Sequence, residues 1–145
     1  MKVSQAEFHV RARAGTAGGV NVVRVAVPSV LRAGDENSRV VRWIFSDGSV
    51  DRMGDTIDPA GWDVSAFMKS PVVLFAHDSL APPIGRAVRV WNDGMRLMGD
   101  VEFAGVEVYP FADTVFRLVT GGFMRAGSVG FLPLDYKWSD DDDRE

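Results

Sequence analysis

The chain contains no cysteine. Disulfides, thiolate metal sites and cysteine nucleophiles are therefore excluded. Histidine is almost as scarce, with His9 and His77 the only imidazoles. Zinc usually takes three or four protein ligands, so a histidine-based metal centre would be starved of them. No apolar run approaches the roughly 20 residues of a membrane-spanning helix. The opening Met1-Lys2-Val3-Ser4-Gln5 has no apolar signal core. A formal net charge of −4 provides no broad basic surface for nucleic acid. There are no internal repeats. The expectation is a cytosolic protein without cofactor, metal, membrane or nucleic acid.

What is present is ordinary for a globular domain. Of 145 residues, 46% are apolar and 25% charged, enough for one domain with a core. Val22-Val23-Arg24-Val25-Ala26-Val27 reads as a strand after the turn Gly15-Thr16-Ala17-Gly18-Gly19. Residues 40–45 read as another strand, with Asp47-Gly48 as a hairpin signal. The spacing predicts a short helix over 63–69, with Phe67 and Met68 inward. Residues 72–76 are apolar without alternation, which predicts a strand covered on both faces or a barrel stave. Residues 87–91 and 95–103 form the clearest hairpin, joined through Asn92-Asp93-Gly94, with Leu97, Val101 and Phe103 on one face.

The best helix covers 108–119. Val108, Phe111, Ala112, Val115, Leu118 and Val119 repeat at helical spacing. Pro110 suits its first turn, Asp113 and Arg117 can pair, and Gly121-Gly122 supplies a left-handed cap. A last strand is predicted over 124–134. About seven short strands and two helices, with hairpins dominant early, predict an antiparallel β-barrel or sandwich decorated by helices. Residues 1–138 read as a single domain. Ser139-Asp140-Asp141-Asp142-Asp143-Arg144-Glu145 reads as a disordered acidic tail or a truncation point, as if a C-terminal portion were missing.

Two segments carry chemistry. Pro71-Val72-Val73-Leu74-Phe75-Ala76-His77-Asp78 ends an apolar run on a histidine, and Gly127-Ser128-Val129-Gly130-Phe131 holds a serine between glycines. A serine hydroxyl is a weak nucleophile and needs a base within hydrogen-bond reach. An imidazole titrates near neutral pH and can serve as that base. Taken alone, Ser128 is an ordinary serine in a glycine-rich bend and His77 an exposed strand end. Asp78, next to His77, is a poor orienting partner, because adjacent strand residues face opposite ways. Asp51, Asp55 and Asp58 lack the ligand spacing and closing glutamate of a calcium loop. Arg86 and Arg125 read as surface charges, Trp62 and Phe75 as core, and His9 as structural.

The ordered set of segments resembles the tailed-phage prohead protease family, the head maturation serine proteases. The likeness covers roughly Phe45 to Pro133 and includes Asp51-Arg52, Asp55, Pro59-Ala60-Gly61-Trp62, the His77 segment and Pro83-Ile84-Gly85-Arg86. It continues with Pro110-Phe111-Ala112, Gly121-Gly122 and the Ser128 segment. The resemblance implies an α+β, mainly β fold of the herpesvirus assemblin type, an antiparallel barrel surrounded by helices. It implies Ser128 as nucleophile and His77 as general base of an endopeptidase. The enzyme would act inside the immature capsid in the bacterial host cytoplasm. Its substrates would be scaffold segments, major capsid protein extensions and itself. A homodimer is compatible with it. The third catalytic group is expected from a segment after the nucleophile strand, so it and the oxyanion donors stay unassigned. The competing readings are a non-catalytic capsid assembly or scaffold protein of the same fold, and a metal-dependent hydrolase using His77 and Asp78.

Overall fold

The structure, a computed structural model, describes residues 11–14, 30–33, 38–50, 56–127 and 129–135. Its centre is a hairpin. The strands Gly85–Asn92 (β5) and Arg96–Phe103 (β6) pair antiparallel, with Asn92 opposite Leu97 at the tip. The tip folds as its sequence dictates. Asn92 Oδ1 accepts from Gly94 N–H at 2.6 Å, and Gly94 takes φ +90°, where glycine is unstrained. Asp93 Oδ1 accepts from Met95 and Arg96 N–H at 2.9 and 2.7 Å. The hairpin therefore forms where expected.

The strand Val40–Asp47 (β3) covers the other side of β6, with Val41 opposite Val101 and Trp43 opposite Gly99. Val30–Ala33 (β2) pairs outside β3, and Val72–Val73 (β4) pairs outside β5. The resulting sheet has the order β2-β3-β6-β5-β4 and is antiparallel throughout. Register breaks between Ile44 and Ser46 in β3 and between Ala87 and Arg89 in β5 add bulges. Bulges bend a strand and raise its twist, in keeping with the sheet's curl into a half-barrel. Arg11–Ala14 (β1) pairs antiparallel with Phe131–Asp135 (β7) in a separate two-stranded ladder.

The helix Pro110–Thr120 (α1) lies against the sheet. Ala112, Val115 and Val119 pack on Val41, Trp43, Ile84, Val101 and Phe103. Each buried valine contributes about 1.5–2 kcal/mol. Pro110 opens the helix. The end is a Schellman motif: Gly122 N–H donates to Val119 O at 3.0 Å and Phe123 N–H to Leu118 O at 2.8 Å. Gly122, at φ +79°, supplies the left-handed residue, while Gly121 stays helical at φ −77°.

Asp113, 7% exposed, pairs with Arg117 at 2.7 Å and with Arg39 at 2.8 Å. The hydrogen bond from Arg117 chiefly, and then that from Arg39, hold its carboxyl below the usual carboxylate range against the opposing effect of burial. Arg39 also donates to Phe103 O and Ala104 O.

Several expectations are corrected. The mainly β class with antiparallel sheets stands, but the described residues hold one α-helix. The expected helix over 63–69 is only a 3₁₀ turn, Phe67–Lys69, and Met68 is exposed. Asp47-Gly48 does not turn a hairpin, because β3 pairs with the distant β6; Asp47 Oδ1 instead accepts from Ser49 N–H at 2.9 Å. The run 72–76 is not a central strand. Its strand stops at Val73 on the sheet edge, because the backbone turns left-handed at Ala76. Phe75 is thus 37% exposed rather than core. Val108, Phe111 and Leu118 are exposed, and α1 buries only the Ala112, Val115 and Val119 stripe with Asp113. The strand expected from 124 begins at Phe131. Residues 22–27, the turn at 15–19 and the tail at 139–145 lie outside the described residues.

Two predictions follow from this packing. A methyl on Gly99 would lie 2.2 Å from Phe45 Cε2. Gly99→Ala should therefore lower unfolding stability by about 1–3 kcal/mol in urea titration. Asp113→Asn should destabilise the fold at neutral pH. A lowered folded-state pKa contributes stability above the unfolded value, about 4, and loses it as pH falls through the folded value. The gap between wild type and Asp113→Asn should accordingly close below about pH 4, measured by urea midpoints across pH.

Candidate active site

His77 ends a 3₁₀ turn, Phe75–His77, that follows β4 directly. Asp78 N–H donates to Phe75 O at 3.0 Å and closes the turn. Ala76 (φ 51°, ψ 30°) and His77 (φ 56°) both lie in the left-handed region. Residues with a Cβ seldom go there, and two in succession hold of order 1–3 kcal/mol of strain each. Such strain persists only where surrounding structure enforces it, and it concentrates at functional sites. Asp78 Oδ1 accepts from Leu80 N–H at 2.9 Å, an Asx turn that spends the carboxylate on the loop.

His77 lines a cavity of about 300 Å³ between sheet and helix. Trp43 and Phe45 come from β3, Val101 and Phe103 from β6, and Val115 and Val119 from α1. Residues 73–77, Ile84, Met124, Ala126 and Gly127 complete the lining. Among the described residues, His77 is the sole titratable side chain in this lining. Phe75 stands at the rim, edge-on to Phe111 at 5.1 Å.

Ser128 lies outside the described residues. Its neighbours do not. Gly127 lines the same cavity as His77, and a Cβ there would sit 3.3 Å from Trp43 Cε3. The chain thus passes close over the Trp43 indole on its way to Ser128. Val129 packs against the Ile57–Phe131 cluster, as does Trp62. Trp62 meets Phe131 edge-on at 5.5 Å. The fold therefore brings His77 and Gly127, 50 positions apart in the chain, to one cavity.

The other charged candidates have structural tasks. Arg86 pairs with Glu102 across the hairpin at 2.7 Å. Arg125 Nε–H donates to Gly122 O at 3.0 Å, at the helix end. Asp58 caps the turn Pro59–Gly61 by accepting from Ala60 N–H at 2.9 Å. His9, Asp51 and Asp55 lie outside the described residues. Among the described residues, no group of three or more His, Asp or Glu side chains could hold a metal ion. Likewise, no helix among them is long and apolar enough to cross a membrane. Sequence reading missed Trp43 and Phe45 as cavity walls. Their alternation with Val41 was the available signal, but it does not say which ring faces a cleft.

A histidine on a strained turn and Gly127, which precedes Ser128 in the chain, thus line one apolar cleft. Comparison with known proteins relates the chain to a phage protease. The relative is the prohead protease of Escherichia phage T5, 33% identical over an alignment of 105 residues that covers 69% of this chain and 47% of that protein. The chain spans about half the length of the curated relative it matches. No family model matches the chain, and no solved structure does.

A β-branched residue tolerates the left-handed region worst. Ala76→Val should lower stability by about 1–3 kcal/mol, whereas Ala76→Gly should leave it unchanged or raise it. Thermal and urea unfolding of the two variants check this.

Proposed function

We propose that this chain carries the catalytic centre of a serine endopeptidase of phage head maturation, with Ser128 as nucleophile and His77 as general base. The observation that carries the reading is the strained His77 turn on the cavity that Gly127 also lines. The likeness to a prohead protease supports it.

The chemistry follows from the residue types. Ser128 attacks the scissile carbonyl carbon while His77 takes the hydroxyl proton. The amine leaves with that proton, returned by His77. Water then attacks the acyl carbon and gives a proton to the same imidazole, which passes it to the Ser128 oxygen as the ester bond breaks and the new carboxyl end leaves. Apolar walls beside His77 lower the local polarity and strengthen electrostatic interactions there. Substrates in this reading are scaffold and major capsid protein segments, with the immature capsid in the host cell as the place of action.

Co-expression of the full-length gene with its capsid protein tests this, read by intact mass of both products. Wild type should shorten the capsid protein. Ser128→Ala and His77→Ala should each slow that cleavage on the order of 10⁴-fold or more, with folding retained by circular dichroism. Unchanged cleavage in either variant would overturn that residue's role. A folded wild type that cleaves nothing, yet is needed for capsid assembly, would favour an assembly protein instead.

A further inference from the structure

The β4 edge and the cavity behind it together define how an extended peptide would lie. Pro71 O accepts from Ala87 N–H at 2.8 Å and Val73 O from Ile84 N–H at 2.9 Å, so both carbonyls face β5. Alternate residues of a strand turn their polar backbone groups the other way. Leu74 continues β4 in extended conformation (φ −108°, ψ 144°). Its N–H thus faces the open edge, while its C=O opens the turn Phe75–His77, and β4 has no strand beyond it among the described residues. An extended peptide can accept from the Leu74 N–H and donate to the Val72 C=O, which the same alternation turns outward. Leu74 and His77 both border the cavity.

The cavity decides what side chain follows. Trp43, Phe45, Val101, Phe103 and Val115 offer it apolar surface and no charge. A lysine or aspartate side chain entering there would lose its hydration without a counter-charge. A volume of about 300 Å³ lies at the small end of ligand sites. It suits one large aliphatic or aromatic side chain rather than a folded segment.

Resting on the protease reading, we propose that the free edge of β4 holds the substrate backbone through Leu74 while the cavity beside His77 takes one apolar substrate side chain. The substrate class is an extended peptide carrying Leu, Ile, Met or Phe at a fixed position near the scissile bond. Ala126, exposed at the mouth, is the position from which that choice can be changed.

The test is a digest of a proteome-derived peptide library by the full-length protein, with cleavage sites read by mass spectrometry. Wild type should favour apolar over charged side chains by about tenfold or more at one position within four residues of the cut. Ala126→Asp should move the preference at that same position toward Lys and Arg, a gain that misfolding cannot produce. A wild-type profile without apolar preference at any such position overturns the proposal. So does Ala126→Asp if it alters rate but not profile.

A folded wild type that cuts nothing sinks the protease reading, and binding then decides the pocket. Full-length His77→Ala is titrated with two acetylated hexapeptides that differ only in a central Leu or Asp, followed by tryptophan fluorescence. Binding of the Leu peptide about tenfold tighter supports the pocket. Equal binding, or none, overturns it.

Discussion

The guanidinium of Arg39 sets the spacing between helix and sheet, and the cavity depends on that spacing. Its Nε–H and Nη2–H bind the carbonyls of Phe103 and Ala104 where β6 ends, at 3.1 and 2.8 Å. Its Nη1–H binds Asp113 on α1 at 2.8 Å. The Phe116 ring lies 4.3 Å from the same group. One planar cation with a rigid fork of donors therefore ties strand end, loop and helix together, a task the flexible ammonium of lysine would do poorly. The pairing also answers the main objection to a charge at the foot of a core. Asp113 has two guanidinium partners, so its desolvation is compensated.

Given that spacing, the remaining geometry is a matter of close approach. Phe45 lies over Gly99 and the Gly127 backbone lies near Trp43, in each case where a Cβ would crowd a ring. Both rings are thereby held as walls of the cleft rather than filling it. The left-handed pair Ala76 and His77 then turns the chain off the sheet edge and leaves the imidazole at the rim. Packing sets the cleft, and backbone strain sets the His77 imidazole beside it.

Local features were legible in the sequence and long-range ones were not. Asn92-Asp93-Gly94 specifies its own turn through side-chain bonds within three residues, so the β5–β6 hairpin could be read directly. Pro110 and Gly121-Gly122 bracket α1 for equally local reasons. The partner of β3 could not be read, because β6 lies some fifty residues on and Asp47-Gly48 mimics a tight turn. The apolar run at 72–76 misled because its composition says strand while Ala76 adopts a conformation that composition does not encode. His77 and the Ser128 segment were singled out from residue type and resemblance. That His77 and Gly127 line one cavity is a property of the fold alone.

The brevity of β4 has a consequence for the protein in a crowded solution. Exposed sheet edges invite sideways growth, in which another chain adds a strand, then another. Here the edge strand is two residues long, with Pro71, which has no N–H to offer, before it and the left-handed turn beyond. That is room for a single pair of backbone hydrogen bonds and no seam along which a fibril could propagate. The edge can be touched by a passing chain and let go.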